Sequence, residues 1–354
     1  MKMDKTYTGT YGRLRVLRPE FLGSSFIDQM DERNEEEFVK SLASSSYKQE
    51  VDAFTTLYKV PDLVEVVINA HMLRMIRNAT FALPQNARNF ISAYMGKWDI
   101  ENIKTLLSSK QLGYDVEHTE AFLVIERDIP VGIFSGVIKR DDWLGMIGSK
   151  DVETVVQQLV KYGYGTILLK HLDEYKKTKD LSAMIAALDT YYFNNLISTF
   201  KFYNGTENML LSYIKEIIDI KNILIVMKAI ELKYKNITDY IIRGGTIPEN
   251  KLIEWSGKDI QSLKAELPYK IDDAFDAYKT DPFMTYFDTA LKRELDKKYI
   301  KLFESLVMSL EFIFAFVLRS EIERDELRTV WLGKYYKISK ERIDRLRILK
   351  YIEK

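Results

Sequence analysis

From Leu210 to Met227 the apolar residues Leu210, Tyr213, Ile217, Ile220, Leu224 and Met227 fall three and four positions apart, laying one stripe along one face of a helix. Ile218, Ile225 and Val226 occupy the opposite face, so this helix is predicted to lie sandwiched between neighbours. The same period runs through Tyr299, Phe303, Leu306, Leu310, Phe314 and Val317 and passes into a charged stretch from Arg319 to Arg328, which predicts one continuous rod. Only 7 prolines and 16 glycines interrupt 354 residues, and the segments between them keep the helical period, so the spacing predicts an all-α protein.

Two markers recur along the chain in the same order. The first is an acid, two variable residues, Asn and Ile: Asp99-Ile100-Glu101-Asn102-Ile103 and Asp219-Ile220-Lys221-Asn222-Ile223. A weaker third copy starts at Glu323 and carries Glu326 at the Asn position. The second marker is a turn, an apolar residue and a polar or Pro start to a short helix. It occurs as Gly136-Val137-Ile138 leading to Trp143 and as Gly245-Thr246-Ile247-Pro248-Glu249 leading to Leu252. Ser25-Phe26-Ile27 followed by Phe38 to Tyr47 has the same form, and Ile338-Ser339-Lys340-Glu341 leading to Ile343 has its beginning. Two ordered markers imply an internal threefold repeat, three similar helical lobes over residues 1–125, 126–236 and 237–332, with 333–354 completing or capping the array. Gln111 to Asp128 is an insertion whose Phe122-Leu123-Val124-Ile125 suits a short strand or a buried loop.

The acid-x-x-Asn motif is the constellation to single out. Residues three apart share one side of a helix, so Asp219 and Asn222 project together among Ile218 and Val226 and require hydrogen-bond partners from an adjoining lobe or loop. Asp99, Asn102, Asp219, Asn222, Glu323 and Glu326 are therefore expected to form structural joints; catalysis, the alternative, sits poorly with the repetition and with the substitution at Glu326.

Chemistry beyond these residues is sparse. Lysines and arginines total 52, as do aspartates and glutamates, so no net field attracts nucleic acid or an anionic membrane surface and recognition falls to local patches. The absence of cysteine excludes disulfides, thiolate metal sites and thiol nucleophiles and suits a reducing cytoplasm. Met-Lys-Met-Asp-Lys at the start lacks the apolar run of a signal peptide, and the most apolar stretch, Leu306 to Leu318, is broken by Ser309 and Glu311 and too short to span ~30 Å of hydrocarbon. The sequons at Asn78, Asn204 and Asn236 then carry no role. His71, His118 and His171 lie far apart and outside any metal-ligand spacing, and Tyr162-Gly163-Tyr164-Gly165 lacks the spacing and the Lys of a phosphate loop. Asp141-Asp142 ahead of Trp143 reads as the capped start of a short helix in preference to a metal site. Lys340-Glu341-Arg342 with Arg345 and Arg347 reads equally as a solvated face or a partner contact. No catalytic, cofactor-binding or metal-binding residue is predicted.

Three stretches carry a family resemblance. Tyr11-Gly12-Arg13-Leu14-Arg15-Val16-Leu17-Arg18-Pro19, the string from Asp219 to Leu224, and Leu318-Arg319-Ser320-Glu321-Ile322-Glu323 through Leu327-Arg328-Thr329-Val330-Trp331-Leu332-Gly333-Lys334 resemble the C-subunit family of archaeal and bacterial V/A-type ATPases, whose eukaryotic counterpart is the V-ATPase d subunit. The resemblance runs through the whole chain in order. It implies a funnel-like array of three helical lobes, without catalytic residues or cofactors. Such a part sits on the cytoplasmic side of the membrane proteolipid ring, receives the central-shaft subunits, and works in ion-driven ATP synthesis or ATP-driven ion pumping without spanning the membrane. Glu326 departs from the family's usual Asn and puts the third joint in question. The rival reading is a free-standing helical scaffold or adaptor of solenoid type, against which stand units of about 100 residues where solenoid repeats run roughly 20 to 45.

Overall fold

The computed structural model describes residues 7–81, 83–113, 125–126, 129–130, 136–202, 208–234 and 236–353. These residues are overwhelmingly helical. The N-terminal part comprises α1 (Thr8–Leu17), α2 (Ser24–Glu32), α3 (Glu35–Ala43), α4 (Lys48–Phe54), α5 (Asp62–Thr80), α6 (Gln85–Met95) and α7 (Lys97–Gln111). There follow α8 (Arg140–Ile147), α9 (Val152–Gln158), α10 (Tyr164–Thr178), α11 (Ser182–Ser198) and α12 (Asn208–Leu232). The chain ends with α13 (Glu249–Ser256), α14 (Asp272–Thr280), α15 (Thr285–Ser305), α16 (Leu310–Tyr335), α17 (Lys340–Arg345) and α18 (Leu349–Ile352). One antiparallel ribbon, β1 (Ile125–Glu126) against β2 (Ile129–Pro130), lies at the end of the predicted insertion. Phe122, Leu123 and Val124 lie outside the described residues, as do Asn204 and His118.

Helix starts follow from local chemistry. Asn34 accepts a hydrogen bond from the Glu37 N–H at 2.9 Å and Glu37 accepts one from the Asn34 N–H at 3.3 Å, a reciprocal cap that starts α3. Asp151 caps α9 by accepting from Thr154 N at 2.9 Å.

The rod expected from Tyr299 into the charged stretch is instead two helices. It breaks after Ser305: Met308 adopts φ 57°, and the Ser309 hydroxyl accepts from Phe312 N at 3.1 Å to start α16 anew. No Gly or Pro marks the break, and the apolar period runs straight across it, which is why spacing alone predicts continuity. The result is that α15 and α16 pack side by side. At 26 residues and ~1.5 Å per residue, α16 still spans roughly 40 Å.

The core is organised on α16, which is apolar around most of its circumference over its first half and packs against α1, α2, α5 and α15 and the C-terminal α17 and α18. Phe314 is its hub. It is fully buried, with the rings of Tyr94 at 4.7 Å, Phe90 at 5.3 Å, Tyr213 at 5.5 Å and Phe303 at 6.2 Å. One side chain thus ties α6, α12 and α15 to α16. The sandwiched character predicted for α12 holds: Ile218 and Val226 are buried on one side, Leu210, Tyr213, Ile220 and Met227 on the other, with Ile214 and Ile223 buried between them. Among the described residues no helix is long and apolar enough to cross a membrane.

Phe314→Ala should therefore cost about 3–5 kcal/mol, because the rings around it belong to separate helices and cannot all collapse into the space. Urea unfolding of the purified chain measures it.

Candidate functional site

The repeated acids lie on α7, α12 and α16, and all are buried. Each faces a turn from elsewhere in the chain. Asp99 Oδ2 accepts from Val137 N at 2.7 Å and from the Tyr164 hydroxyl at 3.3 Å. Asp219 Oδ1 accepts from Thr246 N at 2.8 Å and Ile247 N at 3.0 Å, while Oδ2 takes the Thr246 hydroxyl in a short hydrogen bond. Glu323 accepts from Leu22 N at 2.5 Å, just before α2, and from the Tyr47 hydroxyl at 2.7 Å. Glycine makes two of these approaches feasible, since a Cβ on Gly136 would collide with the Asp99 carboxylate and one on Gly245 with that of Asp219.

The second motif position adds to this. Asn222 donates to the Ile242 carbonyl and accepts from the Ile242 N–H, both at 2.8 Å, so its amide pairs with that backbone as a neighbouring strand would. Asn102 is half-buried on α7. Glu326, where the resemblance leads one to expect Asn, has no proton to donate when ionised, and its surroundings supply donors only. Its carboxylate accepts from Arg347 Nε at 2.6 Å, Ile348 N at 2.9 Å and Leu349 N at 3.1 Å. The guanidinium of Arg347, itself buried, also reaches Asp28 at 2.5 Å. Arg347 therefore departs from both readings of the basic C-terminal stretch, the solvated face and the partner contact, and is an internal counter-charge. The same segment locks where Ile343 fills the space beside Gly333, in which a Cβ would not fit.

Desolvation marks these acids electrostatically. Burial pushes the Asp99 carboxyl up to about 6, with the N–H groups of Val137 and Ile138 and the Tyr164 hydroxyl pulling the other way. Burial likewise pushes Glu323 up to about 8 against the bonds from Tyr47 and Leu22.

A second cluster, which no local spacing announces, surrounds a cavity of about 270 Å³ between α6, α7, α11, α12, α15 and α16. Glu321 accepts from Lys97 Nζ and the Tyr94 hydroxyl at 2.7 Å each. Asp325 pairs with Lys292 and Arg324, each at 2.8 Å; burial would raise its carboxyl, but the two cations hold it well below the usual range. Asp296 takes the Tyr213 hydroxyl at 3.1 Å and is pushed up to about 6 by burial. Glu321 and Asp325 belong to the charged stretch after Arg319, where a helix keeps charges on several faces; apart from Arg324, next to Asp325, their partners come from positions 94, 97 and 292, too distant in sequence to be seen from it.

The remaining candidates are structural. His71 is a core histidine, stacked on Tyr47 at 3.7 Å and 3.2 Å from Glu50. Asp141 and Asp142 sit in the first turn of α8 without capping it; Asp142 binds Lys161 and the Tyr162 hydroxyl instead, which corrects the cap expected there. Gly163, at φ 85°, makes the turn into α10, and Gly165 lets that helix close on the backbone at Val156 and Val160.

Asp219→Leu or Asn222→Leu should each lower stability by about 1–3 kcal/mol, since backbone groups at residues 242 and 246 lose their partners inside the protein; thermal melting of the chain reads it. Asp99 gives a pH signature. Its folded pKa of about 6 lies above the ordinary 3.8, so the folded state holds the proton more tightly and the stability it lends is present below about pH 4 and lost as pH rises through 6. The stability of the native chain minus that of Asp99→Asn should fall across this window by an amount on the order of 3 kcal/mol at about 1.4 kcal/mol per unit, measured by urea titrations at stepped pH. A gap that widens with pH would contradict it.

Known proteins resemble this chain along almost its full length. The family profile described as ATP synthase (C/AC39) subunit matches residues 10–346. The C subunit of the A-type ATP synthase of Thermoplasma volcanium is 39% identical over 347 residues, covering 96% of this chain and 98% of that protein. The protein of the same name from Thermoplasma acidophilum is 40% identical over 338 residues, covering 94% and 95%. That of Methanocaldococcus jannaschii is 24% identical over 356 residues, covering 97% and 86%. A match spanning both the N-terminal helices and the C-terminal lock, at such identity to full-length relatives, means that the chain belongs to the ATP synthase (C/AC39) subunit family.

Proposed function

We propose that the chain is a non-catalytic rotor part of a rotary A/V-type ATPase, joining the central shaft to the membrane proteolipid ring on the cytoplasmic side during ion-driven ATP synthesis or ATP-driven ion pumping. The observation that carries this is membership of the family across residues 10–346. In this reading residues 1–125, 126–236 and 237–332 are three lobes of a funnel, and 333–354 fold back to complete it.

The buried acids support a mechanical role. Asp99 with Val137, Asp219 with Thr246 and Glu323 with Leu22 each set a carboxylate of a long helix against the N–H groups that introduce a short-helix segment. We read them as one joint used three times, the third closing the N-terminal helices onto α16. Torque through such a part acts as shear between lobes. Directional hydrogen bonds within a close-packed interior resist sliding, which apolar contact alone resists less well. Asp99, Asp219 and Glu323 are each engaged by backbone N–H groups and hydroxyls, and Glu326 by Arg347 and two N–H groups, as a joint requires.

A rotor part turns with the ring, so a covalent link between the two should leave coupled ATP hydrolysis running, whereas a link to a stationary subunit should stop it. The native chain has no cysteine, so engineered pairs can be oxidised without background and hydrolysis measured before and after reduction. Arrest by the ring link with indifference to the stator link would move the chain to the stationary side.

A further inference from the structure

Formal neutrality conceals an uneven surface. Among the described residues eight acidic side chains but only three basic ones are buried, so basic charge predominates outside. It is also unevenly placed. No Asp or Glu occurs between Thr8 and Pro19, nor between Val66 and Trp98. These two stretches meet in the fold: α1 packs on α5, with Arg13 donating to Asn78 at 3.2 Å and lying 5.4 Å from the centre of the Phe81 ring. Arg77 and Arg88 line one shallow depression beside Thr80. Arg13, Arg77 and Arg88 are all exposed, and none pairs with a carboxylate among the described residues.

Apolar side chains stand out among these cations. Val16 is 77% and Phe81 72% exposed, among the most exposed large apolar residues described. On α1 the outward face is Gly9, Gly12, Arg13 and Val16, spaced as one helical side, and a Cβ at either glycine would meet nothing within 4 Å. The face is therefore low as well as basic, and a broad flat partner can approach it closely.

We propose that this end of the molecule, formed by α1, the C-terminal turns of α5 and the start of α6, contacts the anionic headgroup layer of a lipid bilayer. The inference rests on the reading that places the chain against a membrane ring, and adds a direct lipid contact to it. Unpaired arginines beside a protruding Phe and Val are the combination an interfacial contact uses: the cations meet phosphates while the apolar side chains enter the boundary between headgroups and acyl chains. An acidic protein surface would satisfy the arginines but leave Phe81 and Val16 without an apolar counterpart, so a lipid surface is favoured.

The test is flotation of the purified full chain with vesicles of phosphatidylcholine alone or mixed with phosphatidylglycerol, over a range of salt. Binding should require phosphatidylglycerol and weaken as salt shortens the screening length, ~10 Å at 0.1 M. Arg13→Gln, Arg77→Gln and Arg88→Gln should each lower it about fivefold. Phe81→Ser should weaken it without changing the salt dependence, and Lys170→Gln, an exposed lysine on α10, should leave it unchanged. All these positions are exposed, so unchanged melting certifies that the variants fold. Absence of binding at low salt, or a triple arginine variant that floats like the native chain, overturns the proposal. So does a triple variant that is released from the assembled ATPase while the native chain ignores vesicles, which makes an acidic protein the occupant. The vesicles hold no other subunit, so failure here leaves the rotor reading standing. Flotation by a chain that never co-purifies with a proteolipid ring removes the rotor reading and keeps the lipid contact.

Discussion

A carboxylate on a helix buried around most of its circumference loses its water and must be met by donors from another segment. This constraint ties the long helices of the protein to its turns. An unmet polar group inside costs about 1–3 kcal/mol and an unmet charge more, so α7, α12 and α16 are stable in place only with the segments at Val137, Thr246 and Leu22 against them. The glycines at 136 and 245 follow from the same requirement, since at these two turns a Cβ would collide with the carboxylate that the backbone N–H groups approach. The aromatic hub at Phe314 packs helices together, and the buried acids add directional hydrogen bonds between α7, α12 and α16 and the turns that face them.

The C-terminal end meets the constraint differently. Glu326 faces an ion pair with Arg347 plus two backbone N–H groups, where Asn222 pairs with the N–H and C=O of the single residue Ile242. A buried pair of this kind adds little stability over an apolar filling, but losing one partner strands the other at a cost of about 3–5 kcal/mol. Its effect is on the path of the chain. With Arg347 reaching Asp28 as well, residues 340–352 can lie only where they touch both α16 and α2, so the two ends of the sequence are held in one place. Glu353 adds to this by accepting from Ser24 N at 2.8 Å.

Helical class, the two-sided burial of α12 and the isolation of Asp219 and Asn222 among apolar residues were legible in the sequence because each follows from spacing along one helix. The break at Met308 was not, because a helix can be restarted by one serine without disturbing the apolar period. Nor was the fate of the C-terminal charges. Arg347 and Arg345 look alike in sequence, yet Arg347 is buried against Glu326 while Arg345 pairs with Glu341 at the surface. The cavity cluster was illegible for a third reason: Tyr94, Lys97, Asp296 and Glu321 converge only through the packing of α6, α7, α15 and α16. Spacing reports which residues share a face; it is silent on what another helix brings to that face.

The buried acids also shape the outer surface. Each acid used inside is one fewer outside, and because those acids draw mostly on backbone N–H groups, the cations that balance the acids in the formal count are left free to stay in water. A chain with equal numbers of acidic and basic residues can thus carry an excess of basic charge on its exterior without any excess in its composition. The acid-free stretches of α1, α5 and α6 concentrate that excess at one end, where Arg13, Arg77 and Arg88 have no carboxylate within reach among the described residues. Where a buried acid does use a side-chain cation, as Glu326 uses Arg347, the local surface gains nothing. The choice between backbone and side-chain donors at a buried acid therefore decides how much positive charge the rest of the molecule presents to its partners.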